Sequence, residues 1–118
     1  MLSKEYRLSK KKDFDGVFKK GESIKNGFLI FKVLNNPSNS SGQVPISRFG
    51  FVVSKKISTK ATVRNKVKRR LRDAVSAKLP ELKKSKDVIV ITLPGIEKKE
   101  FAEIEKTVAD SLAKLKLI

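Results

Sequence analysis

The chain has 118 residues, the length of one domain with no room for a second core. Its 28 Lys and Arg against 12 Asp and Glu leave a net charge of +16, which opposes compaction and points to a polyanionic partner. Neither Cys nor His occurs, which excludes disulfides, thiol nucleophiles, Cys/His zinc sites and the Ser-His-Asp arrangement.

In chain order, Ser9 is a candidate N-cap and Lys10 to Lys20 reads as a short helix stopped by Gly21. Phe14 and Phe18 share one face of it, with Val17 between. A short strand near Ser23 to Lys25 precedes a second one at Phe28 to Leu34, an apolar, β-branched run broken only by Lys32. Asn35 to Pro45, rich in Asn, Ser, Pro and Gly, reads as a loop. Arg48 to Ser54 is the next strand, with Gly50 inside it marking close approach by another backbone or a ligand.

Ser58 or Thr59 caps a predicted helix running to about Leu79 and stopped by Pro80. Its apolar arc is Val63, Val67, Leu71, Ala74, Val75 and Leu79. Asp87 to Leu93 reads as a buried strand closed by Pro94-Gly95. Ile96 to Ile118 is the last helix, with Phe101, Ile104, Val108, Leu112 and Leu115 on its inner face. The order is α-β-β-α-β-α with one extra short strand: an α/β (α+β) two-layer sandwich of helices on a small mixed sheet, a single domain over 1–118. No apolar run approaches the roughly 20 residues that span a bilayer, and no secretory h-region follows the N-terminal bases. The expected location is the cytoplasm.

The charge is polarised. No acidic residue lies between Glu22 and Asp73, a stretch holding twelve bases, nine of them from Lys55 to Arg72. Glu97 to Ile118 carries five acids and five bases. Such asymmetry favours one binding face over diffuse adhesion. On the helix, Asn65, Arg69 and Arg72 fall within roughly 60° of each other on the side away from the apolar arc. Lys66 and Arg70 flank them, and Arg64 and Lys68 lie at the border, where their stems cover apolar surface while their heads reach out. Guanidinium forks and ammonium points along a rigid rod suit the spaced phosphates of folded RNA. Asn65 reads either a ribose hydroxyl or base edge, or bonds a neighbouring side chain.

Phe14 and Phe18, with Phe31 as a neighbour from the strand, form either a platform for unstacked bases or ordinary core. Lys55 and Lys56 either add charge beside that platform or form a solvated connection. The carboxylates make no sequence-local pair suited to glycoside hydrolysis or to a metal. Neither a GxGxxG nor a GxxxxGK[ST] phosphate loop occurs. The chain reads as a binding module without chemistry of its own. The competing functional class is a structural RNA-binding protein of ribosomal type; a DNA-binder would need a helix-turn-helix pair or a dimer interface.

At this point the chain resembles the protein component of bacterial ribonuclease P over nearly its full length. Three pieces carry the resemblance. They are Arg7-Leu8 with Asp13-Phe14, Val17-Phe18 and Gly21; Arg48-Phe49-Gly50-Phe51 leading to Val53-Ser54-Lys55-Lys56; and Ala61 with Arg64-Asn65-Lys66-Val67-Lys68-Arg69 and Arg72-Asp73. Asp87 to Ile91 sits where the family's last strand begins. The chain departs from the family in having Ser58 where Gly is usual, and Lys66 at the third position of the "RNR" helix. It also has Asp73 for the commoner Glu, and Phe31 where relatives often have Tyr.

The resemblance implies a four-stranded sheet with a left-handed β-α-β crossover, against the roughly 98% right-handed expectation. It implies membership of an endoribonuclease that removes the 5′ leader of precursor tRNA by hydrolysing one phosphodiester, with the chemistry carried by an RNA subunit and its Mg²⁺ and no metal held tightly by the protein. Arg64, Asn65, Lys66, Lys68, Arg69 and Arg72 would meet that catalytic RNA. Phe14, Phe18, Phe31, Lys55 and Lys56 would line a cleft for the single-stranded leader.

Overall fold

The computed structural model describes residues 6–8, 11–35, 47–82 and 86–118. Its elements are α1 (Lys11–Lys20), β1 (Glu22–Asn26), β2 (Leu29–Asn35), β3 (Arg48–Val52), α2 (Ala61–Ser76), β4 (Lys86–Thr92) and α3 (Phe101–Lys114). Single 3₁₀ turns at Leu79–Glu81 and Ile96–Lys98 precede β4 and α3. The short strand expected near Ser23 is present, so the order is α-β-β-β-α-β-α. The Ser9 cap and the loop interior after Asn35 lie outside the described residues.

The strands lie in the order β1-β2-β4-β3. β2 pairs antiparallel with both β1 and β4, whereas β3 runs parallel to β4. A parallel neighbour needs a crossover, and α2 supplies it. Alternation then assigns every strand residue to a face. Leu29, Phe31 and Val33 of β2, Val88 and Val90 of β4 and Phe49 of β3 join Val67, Leu71, Ala74 and Val75 of α2 and Ile104, Val108 and Leu112 of α3 in the main core. A smaller core on the opposite face holds Leu8, Val17 and Ile89, with Phe14, Leu34, Val52 and Ile91 packed around it. β4 is covered on both faces, which explains its almost unbroken Val/Ile run.

Gly21 lets α1 end directly on β2: a Cβ there would come within 2.5 Å of the Val17 carbonyl oxygen and 2.9 Å of that of Val33. α2 begins at Ala61, not at Ser58 or Thr59, and its N-cap Lys60 makes no side-chain cap. The Ser58 hydroxyl instead accepts the Lys60 N–H at 3.1 Å in the turn before the helix. α2 stops at Ser76 because Pro80 has no N–H to bond the Ser76 carbonyl and its ring would clash with it, and the chain tightens through a Lys78 N–H to Val75 carbonyl bond of 2.9 Å. The last helix starts five residues later than expected. Ile96 fills its own buried position in the preceding turn, and Phe101, expected to face inward, opens the helix and is 37% exposed.

Candidate nucleic-acid interface

α2 lies with its apolar stripe on the sheet and on α3, which turns the basic residues outward. Asn65, Lys66 and Arg69 are exposed; Arg64, Lys68 and Arg72 are half-buried along the flanks. Thr62, Asn65, Lys66, Arg69, Arg72 and Asp73 border a shallow groove of about 610 Å³. Asn65, exposed on the border of the groove, makes no hydrogen bond with another described residue. The first turn of α2 contains no acid, so the partial positive charge of the helix N-terminus adds to the same surface.

Two of the cations are partly engaged within the protein. Arg64 Nη1 donates to the carbonyl oxygens of Ser58 at 2.9 Å and Thr59 at 3.0 Å, tying the preceding loop to the helix. Arg70 Nη1 donates to the Lys99 carbonyl at 3.1 Å and holds α2 against the segment leading into α3.

On the other face, α1 crosses the sheet from β3 towards β2. Arg48 fixes its first turn. The guanidinium forks onto Asp87 of β4, with Nε to Oδ1 at 2.9 Å and Nη2 to Oδ2 at 2.8 Å, while Nη1 reaches Asp13 of α1 at 3.3 Å. The hydrogen bonds to Asp87 hold the guanidinium pKa above its ordinary value, in spite of partial burial. With α1 so placed, Phe14 lies over Gly50, and the close approach expected at that glycine is made by a ring and by the Leu8 carbonyl. Phe18 is 43% exposed, and Lys32 Nζ stands 5.6 Å from its ring centroid.

Phe14, Gly50 and Phe51 border a recess of about 230 Å³ together with Arg7 and Arg72. Arg72 therefore borders both this recess and the groove along α2. The basic rod and the aromatic face form one continuous surface, with Arg72 at the join.

Phe31 is not part of it. Its side chain is fully buried, on the sheet face that packs against α2 and α3, opposite to α1. The signal that separates it was in the sequence: Lys32 marks the α1 face of β2, so its neighbour Phe31 must point the other way. Residues that do share the α1 face, and that residue typing missed, include Ile30, Lys32, Val52 and Ile91. Ile30, Ile91 and Val52 stand in one row across three strands and are half-buried. Lys55 and Lys56 are exposed just beyond the Val52 end of β3, and neither borders the Phe14 recess.

Among the described residues no group of three or more acidic side chains could hold a metal, and no helix is long and apolar enough to cross a membrane. A small α/β protein whose described surface runs from a cationic helix to an aromatic face has the character of a nucleic-acid-binding protein.

Comparison with known proteins makes the class specific. Residues 2–116 match the ribonuclease P family. The ribonuclease P protein component of Alkaliphilus metalliredigens is 33% identical over 95% of this chain and 95% of its own length. That of Synechocystis is 39% identical over 79% of this chain and 71% of its own. The ribonuclease P protein of Staphylococcus aureus superposes with a TM-score of 0.82 at 29% identity, covering 95% of this chain and 96% of that one. The Thermotoga maritima protein gives 0.78 at 28%, covering 92% and 96%. The chain belongs to the ribonuclease P protein component family, the protein subunits of the endoribonuclease that matures tRNA 5′ ends.

Proposed function

We propose that the chain docks onto the catalytic RNA of ribonuclease P through Asn65, Lys66, Lys68, Arg69 and Arg72, with Arg64 at the edge, and receives the 5′ leader of precursor tRNA on the α1 face. There Phe14 and Phe18 offer stacking surfaces, Lys32, Lys55 and Lys56 offer charge, and the Ile30, Val52 and Ile91 row forms the floor. The observation that carries this reading is the position of Arg72 on both recesses, which lets an RNA bound along α2 hand its substrate directly to the aromatic face.

The mechanism is differential binding. Precursor carries a leader and mature tRNA does not, so contacts made only to the leader favour substrate over product. The cations also screen the repulsion between two RNAs, which lowers the salt their association requires. Mg²⁺ is assigned to the RNA, because Asp13 and Asp87, which lie together here, are bound to Arg48. The assembly works in the cytoplasm, where precursor tRNA is made.

The test is reconstitution with a bacterial ribonuclease P RNA at low Mg²⁺. Cleavage at the mature 5′ end that depends on this chain, with tighter binding of leader-bearing than of leaderless tRNA, is the expected result. Equal affinity for both substrates would exclude a leader-binding role, and cleavage by the protein alone would exclude the division of labour.

A further inference from the structure

The sheet ends in a third recess of about 490 Å³, which shares no bordering residue with the other two. It lies where α1 finishes, β1 and β4 begin, and α3 runs out. Lys20, Lys86, Lys114 and Lys116 border it against a single acid, Glu22. None of the five forms an ion pair with another described residue. The floor is apolar, made by Ile24, Val33, Leu34 and Leu115.

Helix-end electrostatics accounts for Lys20 and Lys114, which stand in the last turns of α1 and α3. It does not account for Lys86, at the start of a strand, nor for a lysine in place of glycine at Lys116, just beyond the end of α3. Lys116 is the more telling. The Leu117 N–H bonds the Leu112 carbonyl at 2.9 Å and the Lys116 N–H bonds that of Ala113 at 3.0 Å. This is the closure in which the residue at Lys116 is left-handed and glycine is favoured. Lys116 adopts φ 61, the one positive φ among described residues other than glycine. A lysine occupies a position whose backbone asks for glycine, and it borders the recess.

The volume falls within the roughly 300–1,000 Å³ of small-ligand pockets. A bare inorganic anion would satisfy the lysines and leave the apolar floor unused. An uncharged apolar ligand would desolvate the ammonium groups without a partner. A phosphorylated nucleoside uses both. We propose that this recess binds one nucleotide unit, with its phosphate among Lys86, Lys114 and Lys116, its base against Ile24 and Leu115, and Glu22 accepting from an amino or hydroxyl group. The unit comes either from an RNA chain or from a free nucleotide.

The experiment titrates the full chain, with isotope-labelled Ile, Leu and Val methyl groups, with AMP, a pentaribonucleotide and inorganic phosphate at matched ionic strength. Saturable shifts at Ile24, Leu34 and Leu115 with AMP or the pentamer are expected, and the pentamer's success or failure tells RNA from free nucleotide. Lys116→Gly should weaken this binding about tenfold, the loss of roughly one charge-assisted hydrogen bond, while holding or raising the midpoint of thermal unfolding. Lys86→Gln should weaken binding similarly with the fold unchanged. Absence of saturable shifts, equal affinity for inorganic phosphate, or undiminished binding by both variants would overturn the proposal.

Discussion

Gly50 and Phe14 claim the same space: a Cβ on the glycine would run into the Phe14 ring and lie 3.1 Å from the Leu8 carbonyl oxygen. The ring is thereby seated on the backbone of β3, at the recess that Arg72 also borders. Gly50→Ala must push the ring out or move the strand. The expected cost is about 1–3 kcal/mol of stability, as for other overpacked sites, together with a reduced preference for leader-bearing precursor. Urea unfolding and paired binding assays with precursor and mature tRNA measure the two effects. A variant unchanged in both would show that the ring has no fixed seat.

Phe18 and Phe31 make opposite predictions. Phe18 is 43% exposed and Phe31 is fully buried. Phe18→Ala should change stability by less than about 0.5 kcal/mol, as at other surface positions. It should cost leader-bearing precursor about 1–3 kcal/mol of binding, the value of one stacked base. Phe31→Ala should cost about 3–5 kcal/mol of stability, with any binding defect following from the fraction unfolded. Loss of precursor binding by a fully folded Phe31→Ala protein would contradict the side of the sheet assigned to it.

How far the sequence carried the site follows from these residues. α2 was legible because its apolar stripe and its cationic arc obey the same 3.6-residue period, and burial of one dictates exposure of the other. Phe14 and Phe18 share a helix face, but spacing is silent on what that face meets; contact with Gly50 and Lys32 needed the packed sheet. Residue type groups Phe31 with these rings, but strand parity, set by Lys32, turns it to the other face. Phe101 was misplaced because the 3₁₀ turn at Ile96–Lys98 interrupts what reads as one continuous helical pattern. Strand order could not be read at all: the placing of β4 between β2 and β3 brings together residues far apart in the chain, such as Arg48 and Asp87.

Asp87 is 4% exposed at its side chain and receives both arms of Arg48. Arg48→Ala strips a nearly buried carboxylate of its guanidinium fork, which should cost about 3–5 kcal/mol. Arg48→Lys retains charge but loses the fork, and should recover only part of that. Because the guanidinium pKa is raised on folding, its contribution is complete below the unfolded-state value and is lost only as pH rises through the higher folded one. The Arg48→Ala deficit, measured by urea unfolding, should therefore show no loss with rising pH across the neutral range on account of the guanidinium. A deficit that faded in that range would mean that the arginine titrates there and that the network is not what holds α1.

Arg64 and Arg69 separate anchoring from RNA contact within one helix. Arg69 is exposed in the groove along α2, whereas Arg64 spends Nη1 on the Ser58 and Thr59 carbonyls. Removing a phosphate contact lowers the slope of log affinity against log salt by about 0.7–0.9. Arg69→Gln should therefore flatten the salt dependence of assembly with the catalytic RNA by about that much, with the unfolding curve unchanged. Arg64→Gln should lower stability by about 1 kcal/mol, as for a lost intramolecular hydrogen bond, and flatten the slope less. Filter binding over a salt series, paired with urea unfolding of each variant, resolves the two roles. If Arg64→Gln flattened the slope as much as Arg69→Gln at full stability, Arg64 would be a phosphate contact first and the loop tie incidental.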